Sequence, residues 1–314
     1  MKPTFYFSHP DYEKDFLTEC GRHSIVLEKI ANGLFCSETK HNGSLIWPRD
    51  TWVEAEVFEF ESISKAVARL RELSKLPWRH VSLASHRRGE LIEQAFSSKT
   101  KILKMQAGKV AWPENNARSR SQPSFALIGP NKLVACLAPS DEAPGGAWNF
   151  DEDREGPPSR AYLKLWEWGW RTSVLPAVGE TAFDLGASPG GWTWVLAQAG
   201  LNVRAFDRAP LDLKLPKKIS DRIHFSKGDA FQVVPQNSPA TDWVFCDVIA
   251  EPHRTVELIE SWIPTKAGLV FTIKFKGETD FASTDRLQKI PGAHVRHLDV
   301  NKHEVTFWRT PVSI

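Results

Sequence analysis

Residues 183–192, FDLGASPGGW, close an apolar run with a turn containing three glycines and lead directly into a helical pattern, TWVLAQAG at 193–200. A strand that ends in such a turn and opens a helix is the building unit of an open α/β sheet. It leaves room for a ligand at the carboxyl end of the strand, where the backbone approaches closely because glycine carries no Cβ. The same rhythm continues on both sides. Strands are expected at 182–185, 203–206, 223–226, 243–246, 269–275, 295–299 and 305–309, and helices at 160–170, 192–199, 255–263 and 281–289. Alternation of this kind predicts an α/β fold with a mostly parallel sheet over residues 151–314.

The turn itself narrows the ligand. A dinucleotide-binding turn reads G-x-G-x-x-G, but here the second glycine, Gly190, follows Gly186 by four residues with Pro189 before it. A pyrophosphate cradle is disfavoured, and the looser loop suits a cofactor carrying an adenosine and an amino-acid tail. Asp207 ends the second strand, where a carboxylate can accept both ribose hydroxyls of an adenosine. Asp229, in KGDA after the third strand, is placed to accept from the adenine amino group. Taken singly, an Asp at such a place is more often a helix cap or turn residue. Three sites at successive strand ends, in that order, favour the ligand.

Four charged residues stand where a parallel α/β core wants apolar side chains: Lys164 in SRAYLKLWEWGW, Asp247 after WVFC, Lys274 in LVFTIKFK, and Glu304 in HEVTFW. Period-two alternation puts Lys274 on one face with Thr272 and Lys276. An embedded lysine is costly unless paired or neutral. The cluster reads either as a structural ion-pair network or as a site where Lys274 takes the proton of an alcohol. Desolvation, Lys164 and a cationic cofactor would favour the neutral amine, whereas Asp247 and Glu304 would favour the ammonium.

Upstream, the first 85 residues read as a small α+β unit, with strands at 4–8, 54–60 and 79–84 and helices at 11–20 and 63–73. A split βαβ, ferredoxin-like arrangement is expected there. In residues 86–140 an Arg/Lys/Ser-rich stretch precedes FALIGPNKLVACL, which reads as a hairpin turning at 129–132, and residues 119–122 read as a mobile basic loop. Residues 141–158, DEAPGGAWNFDEDREGPP, read as a linker or irregular loop between domains.

The net charge of +2 hides an asymmetry. Residues 1–61 carry 6 basic and 11 acidic side chains, residues 62–132 carry 14 and 4, and residues 133–314 carry 20 and 23. The middle block suggests a polyanionic partner, against the plainer reading of a solvated helical face. The longest apolar runs, such as 269–273, are strand-sized, so no membrane-spanning helix is expected. The N-terminal MKPTFYFSHPDYEKDF lacks the apolar stretch of a signal peptide, and the four cysteines are far apart with no CxxC pair. A reducing cytoplasm, without disulfides, zinc or another metal, is the expectation. Of 13 tryptophans, Trp166, Trp168, Trp170, Trp192 and Trp194 crowd around the proposed site; one or two could stack on bases, but packing is the better reading for each.

The combination of DLGASPGGWTWVLAQAG, the CD at Asp247, TIKFKGE around Lys274 and HEVTFW around Glu304 resembles the FtsJ-type RNA 2′-O-ribose methyltransferases. The likeness covers residues 157–309. It implies a Rossmann-like domain over 151–314, S-adenosylmethionine as cofactor, and a catalytic tetrad of Lys164, Asp247, Lys274 and Glu304 with Lys274 as general base. Cofactor contacts carried over by motif are Ser159, Gly186, Ser188, Pro189, Gly190, Gly191, Trp192, Asp207, Asp229 and Asp247. Many members follow the catalytic Asp with Pro-Asn, whereas this chain reads VIAEPH, which suits a branch acting on bacterial 23S ribosomal RNA. HPDYEKDFLTECG is similar to the start of that branch's ferredoxin-like domain, and residues 86–150 would hold a shortened THUMP-like RNA-binding region with the linker. With the tetrad in view, the basic block 62–132 reads as an RNA grip. A retired, non-catalytic RNA-binding protein is the main alternative. Base or protein methylation lacks its Asn/Asp-Pro-Pro-Tyr/Phe motif, and the glycine spacing disfavours a nicotinamide oxidoreductase.

Overall fold

A computed structural model describes residues 2–39, 41, 43–97, 112–113, 122–172, 174–212 and 214–312. Among them, the residues up to 97 with 122–150 form one compact unit, and 112–113 with 151–312 form another.

The N-terminal unit holds two four-stranded sheets. The strands are β1 (Thr4–Ser8), β2 (Glu28–Ala31), β3 (Leu34–Ser37), β4 (Pro48–Trp52), β5 (Glu56–Glu59), β6 (Arg79–Val81), β7 (Ser124–Gly129) and β8 (Lys132–Cys136). The helices are α1 (Glu13–Arg22), α2 (Ile63–Leu73) and α3 (His86–Ser97). One sheet runs β2-β3-β1-β4 and the other β5-β8-β7-β6. Alternation along β1 explains how they are joined. Phe5 and Phe7 pack with Ala126 of β7 and Val134 of β8, while Tyr6 lies against Phe16 of α1. The outer face of the second sheet is covered by Ala66, Val67 and Leu70 of α2 and Ile92 of α3.

The strands expected at 54–60 and 79–84 do not join β1: β5 and β6 pair with β8 and β7 from beyond residue 85. The split-βαβ order expected within residues 1–85 is instead made by residues 4–52, where β3 lies between β1 and β2 and is antiparallel to both. The hairpin at 129–132 is present as β7–β8. Most of 119–122 lies outside the described residues, as does most of the Arg/Lys/Ser-rich stretch after residue 97. The first part of 141–158 is packed rather than free. A short 3₁₀ turn at Pro144–Gly146 is buried, and Gly145 fits against Val81 and Phe7 where a Cβ would come within 2.8 Å of the valine.

The C-terminal unit is one seven-stranded sheet flanked by helices. Its strands are β9 (Thr181–Leu185), β10 (Asn202–Asp207), β11 (Ile223–Lys227), β12 (Trp243–Cys246), β13 (Gly268–Lys274), β14 (Ala293–Arg296) and β15 (Glu304–Arg309). Its helices are α4 (Tyr162–Arg171), α5 (Gly191–Gln198), α6 (Lys217–Ser220), α7 (Pro252–Trp262) and α8 (Phe281–Gln288). The order is β11-β10-β9-β12-β13-β15-β14, with β11 to β13 parallel and β15 antiparallel to both its neighbours. From β9 the chain winds outward through β10 and β11, then returns to the other side of β9 at β12. Open α/β sheets bind ligands at such a reversal, outside the carboxyl ends of the central strands. Those ends are Leu185 of β9 and Cys246 of β12.

Candidate active site

The end of β9 sets the geometry. Gly186 has φ +76°, and a Cβ there would stand 2.9 Å from the Cβ of Val248, so only glycine lets the two strand ends approach. Gly190, with φ 118°, precedes the first turn of α5. The resulting cleft of about 380 Å³ is lined by the predicted residues Ser159, Gly186, Ser188, Pro189, Gly191, Trp192, Asp207, Asp247 and Lys274. Trp192 donates from Nε1 to the Ala161 carbonyl at 2.8 Å, fixing its ring at one wall. Trp166, Trp168, Trp192 and Trp194 are all buried, as packing residues are; Trp170 is half-buried.

Asp207 shapes the loop as well as lining it. Its carboxylate accepts from the backbone amide of Ser188 at 3.0 Å and of Ala209 at 2.9 Å. Each carboxylate oxygen has two lone pairs, so acceptor capacity remains. Asp229 does not line the cleft, and neither does Gly190. Asp229 caps a short turn by accepting from Phe231 N–H at 3.1 Å, and it holds the Arg208 guanidinium at 2.5 Å. The cap left open for it by sequence is the arrangement seen.

The four embedded charges meet. Lys164, one turn into α4, donates to Asp247 at 3.0 and 3.2 Å and stands 2.7 Å from Glu304. Lys274 lies 3.0 Å from the same Asp247 carboxylate and donates to its main-chain carbonyl at 2.7 Å. Strand register brings this about: Lys274 of β13 is directly opposite Glu304 of β15. Burial would lift the Asp247 carboxyl, but Lys164 and Lys274 outweigh it and hold Asp247 below the usual carboxylate range. Burial likewise opposes the Lys164 ammonium, and Asp247 with Glu304 reverse the balance, so Lys164 stays charged. Side-chain exposure is 22% for Lys274, against 12% for Lys164, 13% for Asp247 and 5% for Glu304. Lys274 is thus the member most open to the cleft.

Thr272, which alternation places on one face with Lys274 but without a role, donates its hydroxyl to Asp247 Oδ1 at 2.5 Å. One further participant escaped the sequence reading. Asp184 of β9 is fully buried and lines the cleft; one oxygen takes the Thr193 hydroxyl at 2.5 Å, and the other meets no donor among the described residues. Burial, with a smaller push from Asp247, lifts its carboxyl to about 7. The signal was available, since Asp184 interrupts an apolar strand as Lys274 does. Among the described residues no cluster of His, Cys, Asp and Glu is arranged to hold a metal, and all four cysteines are buried and unpaired.

Residues 157–282 match the family described as FtsJ-like methyltransferase. Together with a relative aligned over most of the chain, this establishes the class: the chain belongs to the FtsJ-like methyltransferase family. Several relatives it resembles carry the name ribosomal RNA large subunit methyltransferase M. That of Pseudomonas putida (strain GB-1) is 30% identical over 297 residues, covering 84% of this chain and 81% of that protein. Those of Alkalilimnicola ehrlichii and Halorhodospira halophila are 38% and 37% identical over 143 and 147 residues, which span 38% and 39% of their lengths.

Proposed function

We propose that this chain transfers a methyl group from S-adenosylmethionine to a ribose 2′-hydroxyl of RNA, with 23S ribosomal RNA in the cytoplasm as the substrate. The observation that carries the reading is the Lys164–Asp247–Lys274–Glu304 cluster bordering a glycine-walled cleft. The cleft's chemistry suits the cofactor. The Asp184 oxygen without a donor and the Asp207 carboxylate offer acceptors to an amino group and to ribose hydroxyls. Gly191 and Trp192, at the N-terminus of α5, line the cleft, where the helix dipole favours a carboxylate. When bound, the cofactor supplies a methyl group on a positive sulfonium, already a good leaving group.

What remains for the protein is to orient the acceptor oxygen and remove its proton. Lys274, the most exposed of the four, is the base. Its free amine takes the hydroxyl proton as the new O–CH₃ bond forms. Lys164, charged and held between two carboxylates, keeps Asp247 ionised and fixes Glu304. Asp247 in turn seats Lys274 through its side chain and its carbonyl. Positioning of this kind supplies much of the acceleration, and general-base assistance adds about 10²–10⁴-fold.

The test is to incubate the protein with methyl-labelled S-adenosylmethionine and unmodified 23S ribosomal RNA, then digest the RNA to nucleosides. Label in a 2′-O-methylnucleoside is the expected result. Label in a base would overturn the acceptor assignment. No transfer to any RNA, with the cofactor bound, would mean a retired enzyme that only binds.

A further inference from the structure

Glu167 lies three residues after Lys164 on α4 and is fully buried, yet it does not line the cleft. Three donors converge on its carboxylate: the backbone amides of Asp299 at 2.8 Å and Val300 at 3.0 Å, and the Arg171 Nε at 2.8 Å. The Arg171 guanidinium also forms an ion pair with it, Nη2 lying 2.7 Å from Oε1. The two amides belong to the turn between β14 and β15, and that turn delivers Glu304. The helix carrying Lys164 and the turn carrying Glu304 are therefore tied twice: directly by the 2.7 Å ion pair, and behind it through Glu167.

The same bonds explain why β14 stops at Arg296 although its pattern favours a strand to 299. The amides of Asp299 and Val300 are spent on Glu167. Beyond them Asn301 braces the turn, donating from Nδ2 to the Glu304 carbonyl at 3.3 Å and the Thr306 hydroxyl at 3.1 Å.

Holding this turn down does not require an ion. Leu298 is already fully buried beside it, and apolar packing avoids the desolvation that a carboxylate suffers. What the carboxylate adds is direction. Hydrogen bonds fix two N–H vectors to a few tenths of an ångström, which apolar contact does not. Burial raises the Glu167 carboxyl, and Arg171 and the two amides work against that rise.

We propose that Glu167 is a positioning residue for methyl transfer: it sets the spacing between Lys164 and Glu304, and through Asp247 the seat of Lys274. The proposal rests on the reaction assigned above. Glu167→Gln keeps the shape but swaps one acceptor for a donor that opposes an amide or Arg171. In the full-length protein, kcat should fall about 10–100-fold, as sub-ångström misplacement of a catalytic group does. KM for S-adenosylmethionine and the affinity for S-adenosylhomocysteine should stay within about twofold, because the cleft lining is untouched. Arg171→Gln, which leaves both amide bonds in place, should show a smaller loss of the same kind, and it decides the matter if Glu167→Gln does not fold. A purely structural residue would lower the folded fraction and leave kcat per folded molecule unchanged. That result, or a loss of cofactor affinity in step with kcat, overturns the proposal. Wild-type protein run alongside separates the two levels. Failure of wild type to methylate RNA removes the reaction and the positioning role together, whereas equal kcat in wild type and variant removes only the latter.

Discussion

Asp184 is a carboxylate kept where a core strand wants an apolar side chain, and its cost is pH-dependent. Its carboxyl stands near 7 in the folded protein against 3.8 ordinarily, chiefly through burial. A folded-state value raised in this way means the native protein holds a proton that the unfolded chain has released. The associated stability is complete below pH ~3.8 and is lost as pH rises through ~7; above that an ionised buried carboxylate is a standing cost of a few kcal/mol. Asp184→Asn should therefore melt at a higher temperature than wild type at pH 8, with the gap closing towards pH 5. Wild type should gain affinity for S-adenosylmethionine as pH rises through 7, since only the ionised form attracts a cation, and the same variant should lose that rise. Melting curves and calorimetric titrations at five pH values check both, and parallel pH profiles would count against the assignment. At this scale the signal was a charge that broke an apolar pattern: it picked out Lys164, Asp247, Lys274 and Glu304, which the structure brings together, but Asp184, which breaks β9 in the same way, was passed over. Asp229 shows the limit. A short acid after a strand looks the same whether it faces a ligand or caps a turn, and its partner Arg208 lies 21 residues away.

Elements turn these residues into a site through register. Pairing of β13 with β15 sets Lys274 opposite Glu304 and Thr272 opposite Thr306, so one sheet face presents a layer of polar groups to Asp247. A one-residue slip would send the whole layer to the other face. Thr272→Val keeps the strand and the volume but removes the 2.5 Å bond to Asp247. It should cost about 1.5–3 kcal/mol in urea denaturation, the usual value for a hydrogen bond to a charged group, and lower kcat without changing cofactor affinity. An unchanged denaturation midpoint would show that Asp247 does not depend on this hydroxyl. The parallel strands and the longer helices of the C-terminal unit were legible in their period, whereas the four-residue α6, with no buried residue, was not. The end of β14 was not, because it is decided by a carboxylate 132 positions away. Nor was the pairing of the N-terminal strands: local pattern places β5 and β6 correctly but cannot say that β7 and β8 complete their sheet.

For the whole molecule, the charge map is the property that bears on function. Residues 62–132 hold 14 basic against 4 acidic side chains, whereas the flanking regions are net negative. If that block grips phosphates, RNA affinity falls steeply with salt, with a log–log slope of about −4 to −5 for six contacts. Filter binding between 50 and 300 mM salt measures it, and a flat response would remove the block from RNA binding. The account stands most directly on Lys274. Lys274→Met keeps an unbranched chain as far as Cε and removes the amine, so single-turnover methyl transfer to 23S ribosomal RNA should drop by about 10²–10⁴-fold, while S-adenosylhomocysteine binds as in wild type. Transfer at the wild-type rate, or cofactor affinity lost in proportion, would contradict the assignment of Lys274 as the base.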